Sequence, residues 1–200
     1  MLALNPNLHT YPFMIKLQYF TADDFQLLMG WISDKELLLN WAGSHFKFPL
    51  TEDKLHWYLK GANDFERSDT LIYKAVDSES GDTVGHISLT ALNRENRSAR
   101  ITRVIVGNPA ERGKKIGEQI IKAMLRTGFT ELNLHRMSLG VYDFNEPAIR
   151  CYKKCGFNTD GVLRDISRHG DVYWSIMEMS ILEDEWQQKN VSVEPEGMQS

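Results

Sequence analysis

The chain has 200 residues, with 23 Lys and Arg against 27 Asp and Glu, a formal charge of −4. That balance excludes nucleic-acid binding through bulk positive charge and suits neutral or cationic substrates better. A composition of 42% hydrophobic and 25% charged residues excludes a wholly disordered or fibrous chain.

Residues 1–13 have no basic segment and contain two prolines, so they read as an N-terminal extension and not as a secretory signal. A strand is expected over Met14–Phe20, where apolar residues alternate with Lys16 and Gln18. Thr21 with Asp24 marks a helix start, and Phe25, Leu27, Leu28 and Trp31 supply its apolar face. Ser33 with Glu36 repeats the pattern and opens a short helix through Leu39. An aromatic loop over residues 41–49 follows. Thr51 then caps a helix carrying Leu55, Tyr58 and Leu59, which stops at Gly61. From there the period changes to two. Strands at Thr70–Val76, Thr83–Leu92 and Ser98–Val106 form an antiparallel meander. Residues 112–128 read as a helix with Ile116, Ile120, Ala123, Met124 and Thr127 on one stripe. A strand at Met137–Val141, a helix near 146–155 closed by Gly156, and strands at Phe157–Arg164 and Val172–Leu182 complete the order. After Trp186 the periodicity is lost, and residues 187–200 read as a flexible tail.

This order predicts one α/β domain of mixed α+β type over residues 14–186, with a twisted mixed sheet of about seven strands flanked by about four helices. The strand–helix–strand piece from Ser98 to Val141 should cross over right-handedly and place its strands parallel. The apolar runs fall short of the ~20 residues that a membrane helix needs. Two cysteines, Cys151 and Cys155, are too few for a disulfide scaffold, and no His or Cys partners stand at zinc spacing. The expectation is a soluble cytoplasmic protein with no metal, no membrane and no nucleic-acid partner.

Two stretches carry chemistry. Residues 104–117 (VIVGNPAERGKKIG) end an apolar strand, turn at Pro109 and open a helix with Gly113 and Gly117 around Lys114 and Lys115. Unpaired N–H groups and the helix dipole at such a start suit a phosphate, and Arg112, Lys114 and Lys115 add charge. A βα turn with solvated basic residues fits the same letters. The Walker A pattern fails: five residues separate Gly107 from Gly113, and Lys115 stands where Ser or Thr should hold magnesium. A G-x-G-x-x-G fingerprint is absent too, so NAD, FAD and nucleotide hydrolysis are not expected. The second stretch places Asn145, Ala148, Tyr152 and Gly156 at spacings of three, four and four, along one helix face. Singly they read as an N-cap, a packed aromatic and a C-cap, which leaves the Tyr152 hydroxyl in want of a partner.

With these two stretches together, the sequence resembles the GNAT superfamily of acetyl-CoA-dependent N-acetyltransferases, and most of all its RimJ/RimL-type ribosomal-protein branch. The resemblance rests on Arg112-Gly-x-x-Ile-Gly117, Leu134-His-Arg136 before a strand, the N-x-x-A-x-x-x-Y-x-x-x-G-F helix from Asn145, and Glu185-Trp186 after the last strand. It implies acetyl-CoA as cosubstrate. Backbone groups of Val104, Ile105 and Val106 would take the pantetheine arm, and N–H groups of Arg112, Gly113, Lys114, Lys115, Ile116 and Gly117 the pyrophosphate. Asn145 would bond the pantetheine or adenylate side, and Tyr152 would protonate the departing thiolate. Two departures stand out. Lys115 occupies the loop's middle glycine position, where a positive φ would cost of order 1 kcal/mol. Gly107 and Asn108 lengthen the strand-to-proline spacing and unsettle the pantetheine register.

Direct attack by an amine needs a base, and His86 is the candidate by its ordinary pKa, although a hydrogen-bonded sheet histidine fits it too. Glu95 and Glu118 read as a solvated turn residue and a helix-dipole partner. Arg103 could orient a substrate carboxylate or phosphate, or simply form an ion pair. Trp41, Phe46 and Phe48 suit an acceptor wall or a cluster covering the core. The expected activity is acetyl transfer to a primary amine, on a protein N-terminus or a small molecule, and a homodimer is compatible with such folds. The alternative is a regulatory or scaffold protein that binds CoA without turnover.

Overall fold

The computed structural model describes residues 15–108 and 115–191. The expected N-terminal extension and the loop residues Arg112, Gly113 and Lys114 lie outside them.

Seven strands form a single sheet: β1 (Ile15–Tyr19), β2 (Leu71–Asp77), β3 (Thr83–Asn93), β4 (Ser98–Val106), β5 (Arg136–Tyr142), β6 (Asn158–His169) and β7 (Val172–Leu182). The strand order is β1-β2-β3-β4-β5-β7-β6. Neighbours are antiparallel except β4 and β5, which run parallel, so the meander and the parallel crossover both form as the periodicity requires. Successive side chains of a strand face opposite ways. Leu71, Tyr73 and Ala75 therefore join one core, and Ile72 between them joins the other.

The first core is closed by α4 (Ile116–Arg126), whose expected stripe Ile116, Ile120, Ala123 and Met124 is buried, and by α5 (Glu146–Cys155). The second is closed by α1 (Phe25–Trp31), α2 (Lys35–Ala42) and α3 (Glu52–Leu59). After Arg126 the α4 helix widens into a π turn over Thr127–Glu131, seating Phe129 in the core.

Four details depart from expectation. Asp34, not Ser33, caps α2: its Oδ1 accepts from Leu37 N at 2.8 Å, and Ser33 Oγ only braces the same carboxylate at 3.0 Å. The α2 helix runs on through Ala42, because Leu38 and Trp41 lie one turn apart and are both buried, so Trp41 is helical and not in a loop. The β6 strand runs five residues past its expected end at Arg164, and a register shift between Leu163 and Ser167, with Asp165 at φ 53°, carries it. A sixth helix, α6 (Glu183–Val191), occupies the start of the segment expected to be tail, so the described residues hold six α-helices. It is polar almost all round, and a few contacts with other elements dock it. Glu185 Oε2 accepts from Leu182 N at 2.9 Å, Arg97 pairs with Glu183 at 2.9 Å, and Trp186 stacks on Phe129 with centroids 5.2 Å apart.

Candidate functional site

The parallel pairing of β4 with β5 stops early. It joins Ser98–Ile101 to Arg136–Leu139 and goes no further, although β4 stays paired with β3 to Val106 and β5 with β7 to Tyr142. An extra residue in β4 causes the parting. His86 faces Ile105 and Ser88 faces Thr102, so one residue of β3 opposes two of β4, with Arg103 at φ 54°. The bulge flips the side-chain alternation. Ala99 and Ile101 pack in the first core, Val104 and Val106 rejoin it, and Ile105 turns into the second. Trp41 holds the bulge, its Nε1 donating to the Arg103 carbonyl at 2.9 Å. At the closed end of the split, Arg100 grips Glu178 with two hydrogen bonds of 2.6 and 2.8 Å.

The result is a cleft of about 1130 Å³ that passes between the two strands. Gly107 N donates back to Val84 O at 2.9 Å, which fixes the direction of alternate β4 amides. Ile105 thus faces β3, while the main-chain groups of Val104 and Val106 face the open edge. Ile105 also lines the cleft, but its main chain is paired with β3, so of the three residues expected along the pantetheine arm Val104 and Val106 are the two turned to the open edge. Gly107 is required where it stands, since a Cβ there would run into the Trp31 indole.

One wall of the cleft is α5. Asn145 caps it, its Oδ1 accepting from Ala148 N at 3.3 Å, and Gly156 ends it at φ 111°. Asn145, Ala148 and Tyr152 all line the cleft, as their shared helix face predicts. The Tyr152 ring packs edge-on against Phe157 with centroids 6.1 Å apart, and its hydroxyl has no hydrogen bond among the described residues. Burial, reinforced by the thiols of Cys151 and Cys155, pushes the phenol well above its ordinary value of 10. Tyr152 therefore stays protonated, a donor and never a base, across the working range. At the head of the cleft, α4 starts at Ile116 with Gly117 on the wall. Lys115 precedes it in the left-handed region, at φ 64°, where a glycine would be unstrained.

The other end of the cleft is built by α2, α3 and the bulge. Asn40, Trp41, His45, Tyr58 and Arg103 line it. Of the expected acceptor residues, Trp41 and Arg103 reach the cleft. Phe46 is buried behind it, stacked on Trp41 at 6.1 Å, and Phe48 is exposed outside it. The Arg103 guanidinium lies 4.7 Å from the Tyr58 ring centroid and 5.6 Å from that of Phe46. His86 is fully buried beneath this end and does not line the cleft. Its Nε2 meets Tyr58 Oη at 3.2 Å, while Nδ1 has no partner among the described residues. Phe20, Trp41 and Tyr58 pack around the ring. Burial, and then the Arg103 charge, push His86 down to about 3, so it is neutral and takes no proton near neutral pH. Glu118 is tied to Lys122 at 2.7 Å, and neither it nor Glu95 lines the cleft.

An open strand edge beside a helix N-terminus, with a protonated tyrosine on the wall between them, is an arrangement for an extended ligand that carries phosphates. The acetyltransferase (GNAT) family model matches residues 35–157. The chain belongs to the GNAT acetyltransferase family.

Relatives within and around this family are distant. An uncharacterized N-acetyltransferase of Bacillus subtilis (strain 168), YnaD, is 33% identical over 81 residues, 40% of this chain and 48% of its own length. Spermidine N(1)-acetyltransferase of Escherichia coli (strain K12) is 35% identical over 83 residues, 42% of this chain and 44% of its own length. The match thus spans about half the length of these curated relatives. The spermidine N(1)-acetyltransferase of Vibrio cholerae is 26% identical over 141 residues, 66% of this chain and 80% of its own. The fold of the spermidine N-acetyltransferase from Vibrio cholerae, solved in complex with CoA and spermine, superposes with a TM-score of 0.75 at 22% identity, covering 87% of this chain and 98% of that one.

Among the cleft residues of this GNAT domain with no functional signal of their own in the sequence are Asn40, His45 and Tyr58. Tyr58 reads from periodicity as a core residue, which it also is. Burial and the Arg103 charge hold His45 below the usual imidazole value, so the imidazole at the cleft is neutral at pH 7.

Proposed function

We propose that this protein transfers the acetyl group of acetyl-CoA to a primary amine by direct attack in a ternary complex. The observation that carries the reading is the split between β4 and β5, which leaves the Val104 and Val106 main chain open along a cleft leading to the α4 N-terminus. Those groups fit a pantetheine arm lying like an added strand, with the N–H groups at Ile116 and Gly117 and the charge of Lys115 toward the phosphates. Acetyl-CoA supplies the activated acyl group.

In the reaction, a nitrogen–carbon bond forms, the carbon–sulfur bond breaks, and one proton passes overall from nitrogen to sulfur. Tyr152 donates its hydrogen bond to the sulfur as charge develops there. Its raised pKa makes phenolate costly, so the proton it gives is replaced from the attacking nitrogen in the same passage. His45, neutral and on the cleft wall, suits a relay of that one proton from nitrogen toward Tyr152 better than the buried His86.

Polyamines are the acceptors named for the spermidine N-acetyltransferases, and a protein N-terminus is the acceptor of the RimJ/RimL-type branch that the sequence resembles. We place the reaction in the cytoplasm, in keeping with the two free cysteines. A homodimer through the β6 edge is supported by the exposed Val162, Leu163 and Ile166 there. The test is thiol release from acetyl-CoA over an amine panel. Release with at least one amine supports the reading. Tight CoA binding with no release on any amine would favour the scaffold alternative.

A further inference from the structure

Resting on the acetyl-transfer reading, we infer that Arg103 receives an anionic oxygen group of the acceptor, so that the substrate is an amine bearing an acid rather than a polyamine.

The net charge of −4 suggests cationic partners, but the cleft reverses the sign locally. Arg103 sits at the acceptor end, on the bulge that opens the split, and the Trp41 bond to its carbonyl fixes its backbone. Its guanidinium lies over Tyr58 and Phe46 and has no carboxylate partner among the described residues, while its Nε is buried without any hydrogen bond there. A guanidinium presents a rigid fork that matches carboxylate and phosphate oxygens. The cleft's other arginine, Arg100, is already satisfied by Glu178. Lys60 adds a second positive charge to the lining, and Asp69 is the one lining carboxylate among the described residues. A polyamine would thus meet like charge where it needs acids. Asn40 lines the same end, and its buried Oδ1 accepts no hydrogen bond among the described residues. It is an acceptor suited to the N–H groups of an amine held by its acid at Arg103. The aromatic wall of Trp41 and Tyr58 beside them fits an apolar side chain.

The test uses the full chain with acetyl-CoA and follows thiol release. Phenylalanine is compared with phenylalaninamide, phosphoethanolamine with ethanolamine, and spermidine and spermine are included. The acid-bearing member of at least one pair should exceed its neutral analogue in kcat/KM by about 10- to 100-fold, the worth of a charged hydrogen bond. Which pair does so distinguishes carboxylate from phosphate. Arg103→Gln should bring the ratio close to one, and Arg103→Lys should restore part of it. The wild-type ratio needs no variant, so a misfolded mutant does not rescue the inference. Equal rates within both pairs, or spermidine preferred to every acid-bearing amine, overturns the role of Arg103 while acetyl transfer stands. No release from any amine overturns both.

Discussion

His86 offers a stability signature that separates a structural imidazole from a catalytic one. In the unfolded chain it takes up a proton near pH 6.5, whereas burial among Phe20, Trp41 and Tyr58 holds the folded ring to about 3. Between those values the unfolded state binds the extra proton. The stability that depends on a neutral His86 is therefore complete above pH 6.5 and is lost as pH falls toward 3. At pH 4.5, two units below the unfolded value, the loss is about 2.7 kcal/mol at roughly 1.36 kcal/mol per unit. Replacing His86→Gln leaves Tyr58 a hydrogen-bond partner but removes the titration. Urea unfolding followed by tryptophan fluorescence at pH 7.5 and 4.5 should give wild type a fall larger than the variant's by about that amount. The variant itself should be weaker at pH 7.5 by about 1 kcal/mol through lost packing. Identical pH dependence in the two proteins would refute the buried, neutral assignment. So would an inflection in kcat/KM near pH 6.5 that disappears in His86→Gln, because that would make the ring a base after all.

Other substitutions address the rest of the cleft. Tyr152→Phe removes a donor whose hydroxyl has no partner among the described residues, so stability should change by less than ~0.5 kcal/mol while kcat falls by about 10²- to 10⁴-fold. Steady-state kinetics with CoA binding measured alongside separates the two effects. Gly107→Ala puts a methyl group into the Trp31 indole and should cost about 1–3 kcal/mol, read as a lower unfolding midpoint. Lys115→Gly relieves a left-handed lysine at φ 64° but frees the unfolded chain, so thermal stability should rise by no more than ~1 kcal/mol. Binding of acetyl-CoA by that variant should become less sensitive to salt, since one cation near the phosphates is gone.

How far the sequence could be read depended on whether a feature is local. The β4 strand and the α5 helix have the bounds that period, N-cap and C-cap imply, because Asn145, Gly156 and the alternating apolar residues each act within a few positions. The stripe of α4 was legible for the same reason. The β4 bulge was not, because an arginine at positive φ is selected by the Trp41 bond and the aromatic pocket, which come from residues far away in the chain. His86 illustrates the same limit. Its residue type suggests a base, and only the packing of α1–α3 over the sheet shows that water and substrate do not reach it. The α6 helix has no periodic signature because it is polar nearly all round, and its stability comes from Glu185, Glu183 and Trp186 meeting partners on other elements.

Acetyl-CoA binding requires the open edge of β4. Amide hydrogen exchange of the full chain, with and without acetyl-CoA, tests it most directly. Binding should slow exchange at Val104 and Val106, and leave Ala99 and Ile101, already within the paired part of the sheet, unchanged. Slowing elsewhere with none at Val104 and Val106, or no response to saturating acetyl-CoA, would contradict the placing of the thioester between β4 and β5.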